Sequence, residues 1–448
     1  MPNYNKYFDQ TKWVNASLNG KVYGIPLQSQ TAKLDEMFKD DPYYPAFDGW
    51  AYWIREDILA KAGYKFTPID ELKKNITDQG KALTLDDMKI EPAIDTPEKW
   101  VEMLKKIQSL NLKVGDKSVI PMSIASWNQF HMGNMFGLSQ FKMNDDGKVS
   151  GYIGNPEAKD WYKVLWGLYQ DKILDKDFLI QKDDQLQSKI SSGLVASGMV
   201  IPDLNAAKDN LHKVIGQDAN IRYIPWPKKT PGVGSFDVKN GGIYKLIINK
   251  NFKDVDRLLQ YFDWFYSDEG FDITTWGPES AGLWEMKDGK KVYKDQQLAD
   301  AINNGGAKEG TKGPEYYGLY TPYTVAGAMG NCKSVVSSPN PGFNPADQRH
   351  SYNTPLDIYK VMKATACANG INSDGKAAYD DGGPNTSAVG TYYWGKFQND
   401  RVGKVFVAKS EDDFNKAWDE QYNLFLKESS YEAAIVDMQK FFKDTLKK

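Results

Sequence analysis

The sequence has few of the residues on which metal and redox chemistry depend. Its 448 residues include only two cysteines, Cys332 and Cys367, and three histidines, His131, His212 and His350. The histidines are widely separated and no HExxH or CxxC spacing occurs, so a structural zinc site is not expected. The cysteine pair allows one disulfide or two free thiols, and it does not determine the compartment. We therefore expect neither a metal site nor a cofactor.

Other absences exclude broad functional classes. Lys and Arg total 56 against 59 for Asp and Glu, a formal net charge of −3, so no basic excess indicates nucleic-acid binding. The apolar runs are too short to span a bilayer. No GxxxxGK[ST], no GxGxxG after a strand and no GxSxG occurs, so nucleotide binding and serine hydrolase chemistry lack a motif. The segment 1–6, MPNYNK, has no apolar h-region and is not a signal peptide.

Aromatic residues, in contrast, are abundant. They make up 13% of the chain, with 13 Trp and 26 Tyr. Core packing is one explanation, and a stacking surface for flat apolar faces such as sugar rings is the other. Trp53 and Trp418 stand in regular elements and are expected in the core, and Arg55 is expected in a structural ion pair. Trp residues flanked by Gly, Pro, Ser or Asn favour the stacking surface.

Short strands alternate with amphipathic helices, which favours an α/β fold. Residues 18–27, LNGKVYGIPL, predict a hairpin because Asn-Gly suits a type I′ turn. The stretch that follows Gly49 predicts a strand over 51–55 and then a helix ended by Gly63. SGLVASGMVIPD, at 192–203, predicts a buried strand, and NGGIYKLIINK, at 240–250, predicts another.

Several helices carry recognisable start and stop signals. Thr96 is a good N-cap with Pro97 at the first position, and Asn155 with Pro156 repeats that pattern. KDVDRLLQYFDWFYSDEG predicts one helix that Gly270 terminates.

The remaining segments have simpler signatures. MNDDGKVSGY, at 143–152, predicts a solvent-facing hairpin, and the Gly- and Pro-rich region 303–350 predicts loop. The chain should end in two helices whose apolar faces contain Phe414, Trp418, Tyr422 and Leu426, then Ile435, Met438, Phe441 and Phe442.

The order of these segments resembles a known family. GKVYGIP is followed by WAYWIREDILAKAGY, SGLVASGMVIPD, IPWPKKTPG, NGGIYKLIINKN and LLQYFDWFYSDEGFDITTWG. This order resembles that of the extracellular solute-binding proteins of bacterial ABC importers, in particular the carbohydrate-binding family 1, many of which are surface lipoproteins. Each motif is weak alone, and their order over almost the whole chain carries the resemblance.

The resemblance implies an α/β, periplasmic-binding-protein-like two-lobe (type II) fold with the first lobe largely truncated. In such a fold the strand at 21–26 follows several β-α units, so we expect a chain shortened at its N-terminus, or a member that has lost the lobe. The expected segments are an N-terminal-lobe remnant with the first hinge strand (1–28), the C-terminal lobe (29–238), a return to the N-terminal lobe (239–325) and a mostly helical C-terminal-lobe segment (326–448). The apolar face of the helix at 253–269 would then lack a partner, which predicts poor stability or self-association.

The resemblance also implies a function. Two lobes would close on a sugar or oligosaccharide, and the closed form would dock on an ABC permease. The implied location is extracellular or in the cell envelope, with a lipid anchor on the full-length form, and no nucleic acid, catalysis or membrane span in this chain. Relatives that take large oligosaccharides share an Asp/Asn-rich calcium loop, but LNLKVGDKSVIP here holds a single acidic residue, Asp116, which argues against calcium.

The expected ligand-binding residues are aromatic and polar side chains near loops. Sugar sites combine flat rings with a few oriented hydrogen-bonding groups. The candidates are Gln28, Trp50, Tyr52, Trp127, Asp203, Trp276, Glu279 and Trp394. For Asp203, capping the helix that starts near Asn205 is an equally good interpretation.

Two other functions remain open on the sequence. A glycan-cleaving enzyme would also use Trp surfaces, with a carboxylate pair that Asp203 and Glu279 could supply. A binder of peptides or other small molecules on the same fold is the third hypothesis, because fold does not determine the ligand.

Overall fold

The computed structural model describes most of the chain in several stretches. These are residues 1–7, 17–18, 21–22, 24–27, 51–77, 83–229, 244–265, 267–287, 290–304, 312, 314–317, 358–368, 377–378 and 384–444. Gln28, Trp50, Cys332, His350 and most of the predicted loop 303–350 lie outside the described residues.

Helices and short strands alternate along the chain. The helices are α1 (Pro2–Tyr7), α2 (Glu56–Lys61), α3 (Ile69–Thr77), α4 (Pro97–Ser109), α5 (Asn128–Met132), α6 (Ala158–Gln170), α7 (Asp183–Ser191), α8 (Leu204–Val214), α9 (Val255–Phe265), α10 (Asp268–Trp276), α11 (Gln296–Asn304), α12 (Ile358–Ala368), α13 (Pro384–Tyr392), α14 (Val402–Phe406), α15 (Glu411–Glu428) and α16 (Tyr431–Asp444). A π-helical stretch (Tyr393–Arg401) joins α13 to α14, and 3-10 turns occupy Gly133–Phe136, Tyr152–Gly154, Glu279–Ala281 and Pro314–Tyr317.

The strands are two to four residues long. They are β1 (Ser17–Leu18), β2 (Lys21–Val22), β3 (Ile25–Leu27), β4 (Tyr52–Arg55), β5 (Lys65–Phe66), β6 (Ile90–Glu91), β7 (Lys113–Val114), β8 (Lys117–Ser118), β9 (Phe141–Met143), β10 (Val149–Gly151), β11 (Ser197–Gly198), β12 (Ile221–Ile224), β13 (Tyr244–Leu246), β14 (Trp284–Lys287), β15 (Lys290–Tyr293) and β16 (Ala377–Ala378).

The chain divides into two compact units, each built from several segments. The first unit comprises Met1–Asp48, Asn75–Ala82 and Val238–Ala364. The second comprises Gly49–Lys74, Leu83–Asp237 and Thr365–Lys448.

The centre of the second unit is a three-stranded sheet in the order β11–β4–β12. Both pairings are antiparallel, with Gly198 opposite Trp53 and Tyr223 opposite the same residue. Every residue of β4 and β12 is buried, as a strand covered on both faces requires. A Cβ on Gly198 would lie 2.5 Å from the Ser123 carbonyl oxygen, so only glycine permits this approach. The predicted strand at 192–203 therefore exists, but only Ser197–Gly198 is paired in the sheet.

Two helices with buried tryptophans pack near this sheet. Thr96 caps α4 by accepting a hydrogen bond from the Lys99 backbone, as predicted. Trp100 is fully buried and meets the Tyr52 ring edge-on, with ring centroids 5.8 Å apart. It also contacts Trp161 of α6, at 6.4 Å. The core thus links the sheet, α4 and α6.

The predicted cap at Asn155 is wrong. Helix α6 begins at Ala158, three residues later, and Glu157 precedes it. The Asn155 amide instead donates to the carbonyl oxygens of Ser139 and Tyr152, at 2.6 and 2.7 Å. Because this buried side chain closes the preceding loop, it is unavailable to the helix.

A hairpin and two long helices complete the second unit. Strands β9 and β10 pair antiparallel around Gly147, whose φ of 77° suits the predicted turn. The turn is exposed, but β10 is buried, so the hairpin faces solvent only at its tip. Helices α15 and α16 bury only part of the predicted faces. The fully or largely buried members are Phe414, Trp418, Met438, Phe441 and Phe442, whereas Tyr422, Leu426 and Ile435 are half-buried against the core. Trp53 and Trp418 are core residues, and Arg55 pairs with Asp57 at 2.7 Å, as expected.

The first unit contains smaller pieces. β1 pairs with β2 and β3 with β13, both antiparallel, which supports the predicted opening hairpin and the strand in 240–250. The single helix predicted to end at Gly270 is wrong. Helix α9 ends at Phe265, and the Ser267 side chain accepts from the Gly270 N–H to cap α10. Ser267 is an N-cap signal inside an apolar pattern that otherwise looks continuous.

Candidate functional site

Helix α5 carries two aromatic side chains of the candidate site. Trp127 stands immediately before the helix and His131 four residues later, so both project from one face. Each is half-buried. Phe130, between them, points into the core and is 2% exposed.

The segment before α5 is held in place by buried hydrogen bonds. The Asn128 side-chain oxygen accepts from the Ala125 N–H at 3.0 Å. The Gln181 amide donates to Ser123 Oγ and to the Ile124 carbonyl oxygen, both at 2.9 Å. Ser123 Oγ in turn donates to Asp175 Oδ2 at 2.7 Å. These buried bonds orient Trp127 from behind, as a preorganised site requires.

Trp394 comes from a distant part of the sequence. It belongs to the π-helical stretch Tyr393–Arg401, and not to the loop that its flanking glycines predicted. Stretches of π-helix are uncommon and frequently accompany functional sites. The Asn399 side chain donates to the carbonyl oxygens of Trp394 and Gly395, both at 3.1 Å. Trp394 is half-buried, while the adjacent Tyr393 is fully buried.

His131 brings the two tryptophans together. Its ring stacks on Trp394, with centroids 5.5 Å apart and planes at 24°, and meets Trp127 edge-on at 5.8 Å. Phe130 supports Trp394 from the core side at 5.5 Å. We call Trp127, His131 and Trp394 the ring cluster. It is a continuous aromatic surface built from residues 267 positions apart, with a buried aromatic layer behind it.

The electrostatics of the ring cluster favour an uncharged imidazole. Burial lowers the pKa of His131 from its ordinary value of 6.5 to about 3, because the surrounding rings cannot solvate the protonated form. The Trp127 indole N–H donates to Asp183 Oδ1 at 3.0 Å, so the edge of that ring is oriented by a carboxylate. The cluster therefore combines a neutral flat surface with one acidic edge.

A cavity of about 590 Å³ borders the segment that holds Trp127. It is lined by Asp177, Ile180, Gln181, Asp184, Gln185, Ser188 and Lys189. The Gln181 carbonyl oxygen accepts from the Ser126 N–H at 3.4 Å, which connects the cavity wall to the residue before Trp127. Lys189 is held by Asp175 and Asp177, at 2.6 and 3.0 Å. The wall offers mainly carboxylate, amide and hydroxyl groups.

The structure places two other predicted aromatic residues in cores. Tyr52 is fully buried, and its hydroxyl is 2.6 Å from Ser197 Oγ. Trp276 is the last residue of α10 rather than a loop residue, is 1% exposed and stacks on Tyr293 at 4.8 Å. The loop placement of Trp276 is therefore wrong, and packing is the interpretation that the structure supports for both rings.

Two of the three predicted polar residues lie in the described part of the chain. Asp203 caps α8 by accepting from the Ala206 N–H at 2.9 Å, which confirms the capping alternative, and the helix begins at Leu204. Glu279 is exposed in a 3-10 turn of the first unit. Gln28 and Trp50 lie outside the described residues, and their ligand-binding role stays a prediction.

Sequence analysis missed two residues of this site. His131 was considered only as a possible metal ligand, although its four-residue spacing from Trp127 indicates a shared helix face. Asp183 carried no signal, because its contact joins residues 56 positions apart.

The described residues include neither a cluster of potential metal ligands nor a helix that could span a membrane. No group of three or more His, Cys, Asp or Glu side chains there could hold a metal ion. Asp116 is exposed at the turn between β7 and β8. In the same part of the chain, no helix combines the length and the apolar character needed to cross a bilayer.

Comparison with known proteins shows the fold. No family model and no curated protein matches the chain. Among solved structures, it is similar to the alginate-binding protein AlgQ2 without calcium ion, at 17% identity and a TM-score of 0.53, over 98% of this chain and 78% of that one.

Two further structures agree. One is an HMO-binding, ABC-transporter-associated solute-binding protein from Bifidobacterium longum infantis, at 14% identity and TM-score 0.53, covering 99% of this chain and 81% of that one. The other is the S. pneumoniae ABC-transporter substrate-binding protein FusA in complex with kestose, at 14% identity and TM-score 0.54, covering 100% and 82%. The chain thus has the two-lobe, periplasmic-binding-protein-like α/β fold of these structures, as predicted. The truncation of the first lobe stays a prediction.

Proposed function

We propose that this protein is the solute-binding component of an ABC importer and captures an extracellular sugar or oligosaccharide. The observation that carries the proposal is the ring cluster. Two tryptophans distant in sequence are joined through His131 and keep part of their surface accessible. Flat aromatic surfaces suit the apolar faces of sugar rings, and oriented polar groups suit their hydroxyls.

The fold comparison supports the same class of ligand. The structures of similar fold are named for binding alginate, HMO and kestose. Fold alone does not determine a ligand, so the proposal of a carbohydrate ligand for this chain depends on the ring cluster. The proposal includes docking on a membrane permease, an extracellular or cell-envelope location, and a lipid anchor on the full-length form.

The enzymatic alternative has less support. Asp203, one member of the predicted carboxylate pair, serves as a helix cap by accepting from the Ala206 N–H. A glycosidase needs one carboxyl group as acid and a second as base or nucleophile, both at the scissile bond. We therefore propose binding without turnover.

Titration with a panel of oligosaccharides tests the proposal. Intrinsic Trp fluorescence would report binding, and chromatography of the same samples would report cleavage. We expect a saturable change in Trp fluorescence with intact sugar. The variants Trp127→Phe and Trp394→Phe should reduce that change. The matched control is Trp166→Phe, because Trp166 is another half-buried indole of the second unit, and it packs on Phe414 instead.

Three outcomes would contradict the proposal. New, shorter sugars would show turnover and support the enzyme. A folded chain that responds to a peptide panel and to no sugar would support the third hypothesis. An equal loss of signal in all three Trp variants would show that the response is not specific to the ring cluster.

A further inference from the structure

We propose that the ring cluster takes an uncharged sugar and discriminates against uronates, with Asp183 as the residue that sets this specificity. The inference rests on the proposed function and names the substrate class of the same site.

The geometry places a negative charge at the edge of the stacking surface. Asp183 is exposed, and its Oδ1 accepts from the Trp127 indole N–H at 3.0 Å. A sugar ring stacked on Trp127 would bring a uronate carboxylate within a few ångströms of this group. Because Asp183 is exposed to water, two like charges at that separation weaken binding by about five- to tenfold. Hydroxyl groups meet no such penalty, because they can donate to the carboxylate.

The neighbouring polar groups reinforce this preference. The cavity wall next to the Trp127 segment contains the carboxylates of Asp177 and Asp184. Its one cation, Lys189, is held by two aspartates. These groups suit hydroxyl ligands better than carboxylate ligands. Lys182 is the single cation in the stretch 181–188 and is exposed, so it is the residue that could reverse the preference.

Asp183 also has a purely structural explanation that the test must separate. Asp183 and Asp184 occupy the first turn of α7, where negative charge stabilises a helix. Asp412 occupies the first turn of α15 and is likewise exposed. Asp412→Asn therefore removes an equivalent charge from a helix end that does not contact the ring cluster.

The experiment compares affinities for pairs of oligosaccharides of equal length, one uncharged and one carrying a terminal uronate. We expect the wild type to prefer the uncharged member by about tenfold at low salt, and less at high salt because screening weakens the repulsion. Asp183→Asn keeps an oxygen acceptor for the indole and removes the charge. It should reduce the preference to about threefold or less, chiefly because the uronate binds more tightly once the repulsion is gone. Asp412→Asn should leave the preference unchanged.

Each other outcome has a defined meaning. Equal or tighter uronate binding by the wild type would overturn this inference and leave the proposed function intact. If Lys182→Gln then abolished uronate binding, Lys182 would be the specificity residue. A preference that survives unchanged in Asp183→Asn would also overturn the inference. If a folded wild type bound neither sugar, the proposed function itself would fail.

Discussion

The two units differ in the size of the hydrophobic core that surrounds their buried tryptophans. In the second unit, Trp100 and Trp161 belong to one continuous core that reaches from the central sheet to the C-terminal helices. In the described part of the first unit, Trp276 is packed in a cluster of four buried residues with Tyr293, Leu298 and Ala299. The candidate site lies in the second unit, on the larger core. The ring cluster is therefore backed by buried rings of the larger core, such as Phe130 and Tyr393.

The two units also differ in how their exposed apolar side chains are distributed along the chain. Along 247–261 of the first unit, Ile247 is 74% exposed, Phe252 47% and Tyr261 50%. In the second unit the exposed apolar residues are isolated, such as Val407 and Val436. Scattered apolar residues are normal on a surface, whereas a grouped set predicts association.

The largest expected effect is on the core of the second unit. Trp161→Ala removes a fully buried ring that donates to the Gln129 carbonyl oxygen at 2.8 Å. We expect it to lower the free energy of unfolding by about 3–5 kcal/mol, measured by urea denaturation. Val436→Ala, at an exposed site, should change it by less than about 0.5 kcal/mol. If Trp161→Ala changed the free energy of unfolding only slightly, the core of the second unit would not be the well-packed core described here.

The second prediction concerns acid. The pKa of His131 is lower in the folded protein than in the unfolded chain, so the unfolded state binds the extra proton between pH 6.5 and pH 3. Stability should therefore fall as the pH falls through this window. At pH 4 we expect the contribution of His131 to that loss to be at most about 3 kcal/mol, because solvent reaches part of the half-buried ring.

His131→Phe isolates this contribution from the carboxylates that titrate in the same range. The variant keeps a ring against Trp394 and cannot be protonated. We expect it to lose less stability than the wild type between pH 6.5 and pH 4 in parallel denaturation series. Parallel curves for the two proteins would show that the surroundings of His131 do not disfavour its protonated form.

The third prediction concerns the exposed apolar residues of the first unit along 247–261, which include Phe252 and Val255. Burying one such side chain is worth about 1.5–3 kcal/mol, so we expect the protein to self-associate. The double variant Phe252→Glu and Val255→Glu should lower the apparent mass in sedimentation. Val407→Glu, in the second unit, should leave the mass unchanged. A wild type that is monomeric and melts cooperatively would contradict this expectation.

The smallest expected effect separates capping from ligand binding at Asp203. Asp203→Ala should cost about 1 kcal/mol of stability, because the Ala206 N–H loses its acceptor. Asp203→Asn should retain most of it, since Asn is also a good cap. Neither change should alter oligosaccharide affinity. A loss of oligosaccharide affinity in both variants would instead support a ligand-binding role for Asp203.

Local signals in the sequence predicted individual elements well. Thr96 with Pro97 marks the start of α4, and the four-residue repeat from Phe414 marks α15, because caps and apolar periodicity act within one or two turns. Asn155 failed because its amide serves a loop, and loop hydrogen bonds have no sequence period. The break between α9 and α10 was missed because the apolar pattern continues across it.

The candidate site was only partly predictable. Trp127 and Trp394 were identified from their polar, glycine-containing surroundings, although one precedes a helix and the other lies in a π-helical stretch. Their proximity depends on His131 and on packing between distant segments, which the sequence does not encode locally. Tyr52 was predicted to bind the ligand but is buried in the core. In a strand that is covered on both faces, the sequence pattern does not distinguish core residues from ligand-binding residues.

A double-mutant cycle on Trp127 and Trp394 tests the central claim most directly. The affinity of the best oligosaccharide would be measured for the wild type, Trp127→Ala, Trp394→Ala and the double variant. We expect each single change to weaken binding by about tenfold. The loss of affinity in the double variant should be smaller than the product of the two single losses, because both rings contact His131. Unchanged affinity in both single variants, with the chain still folded, would contradict the account.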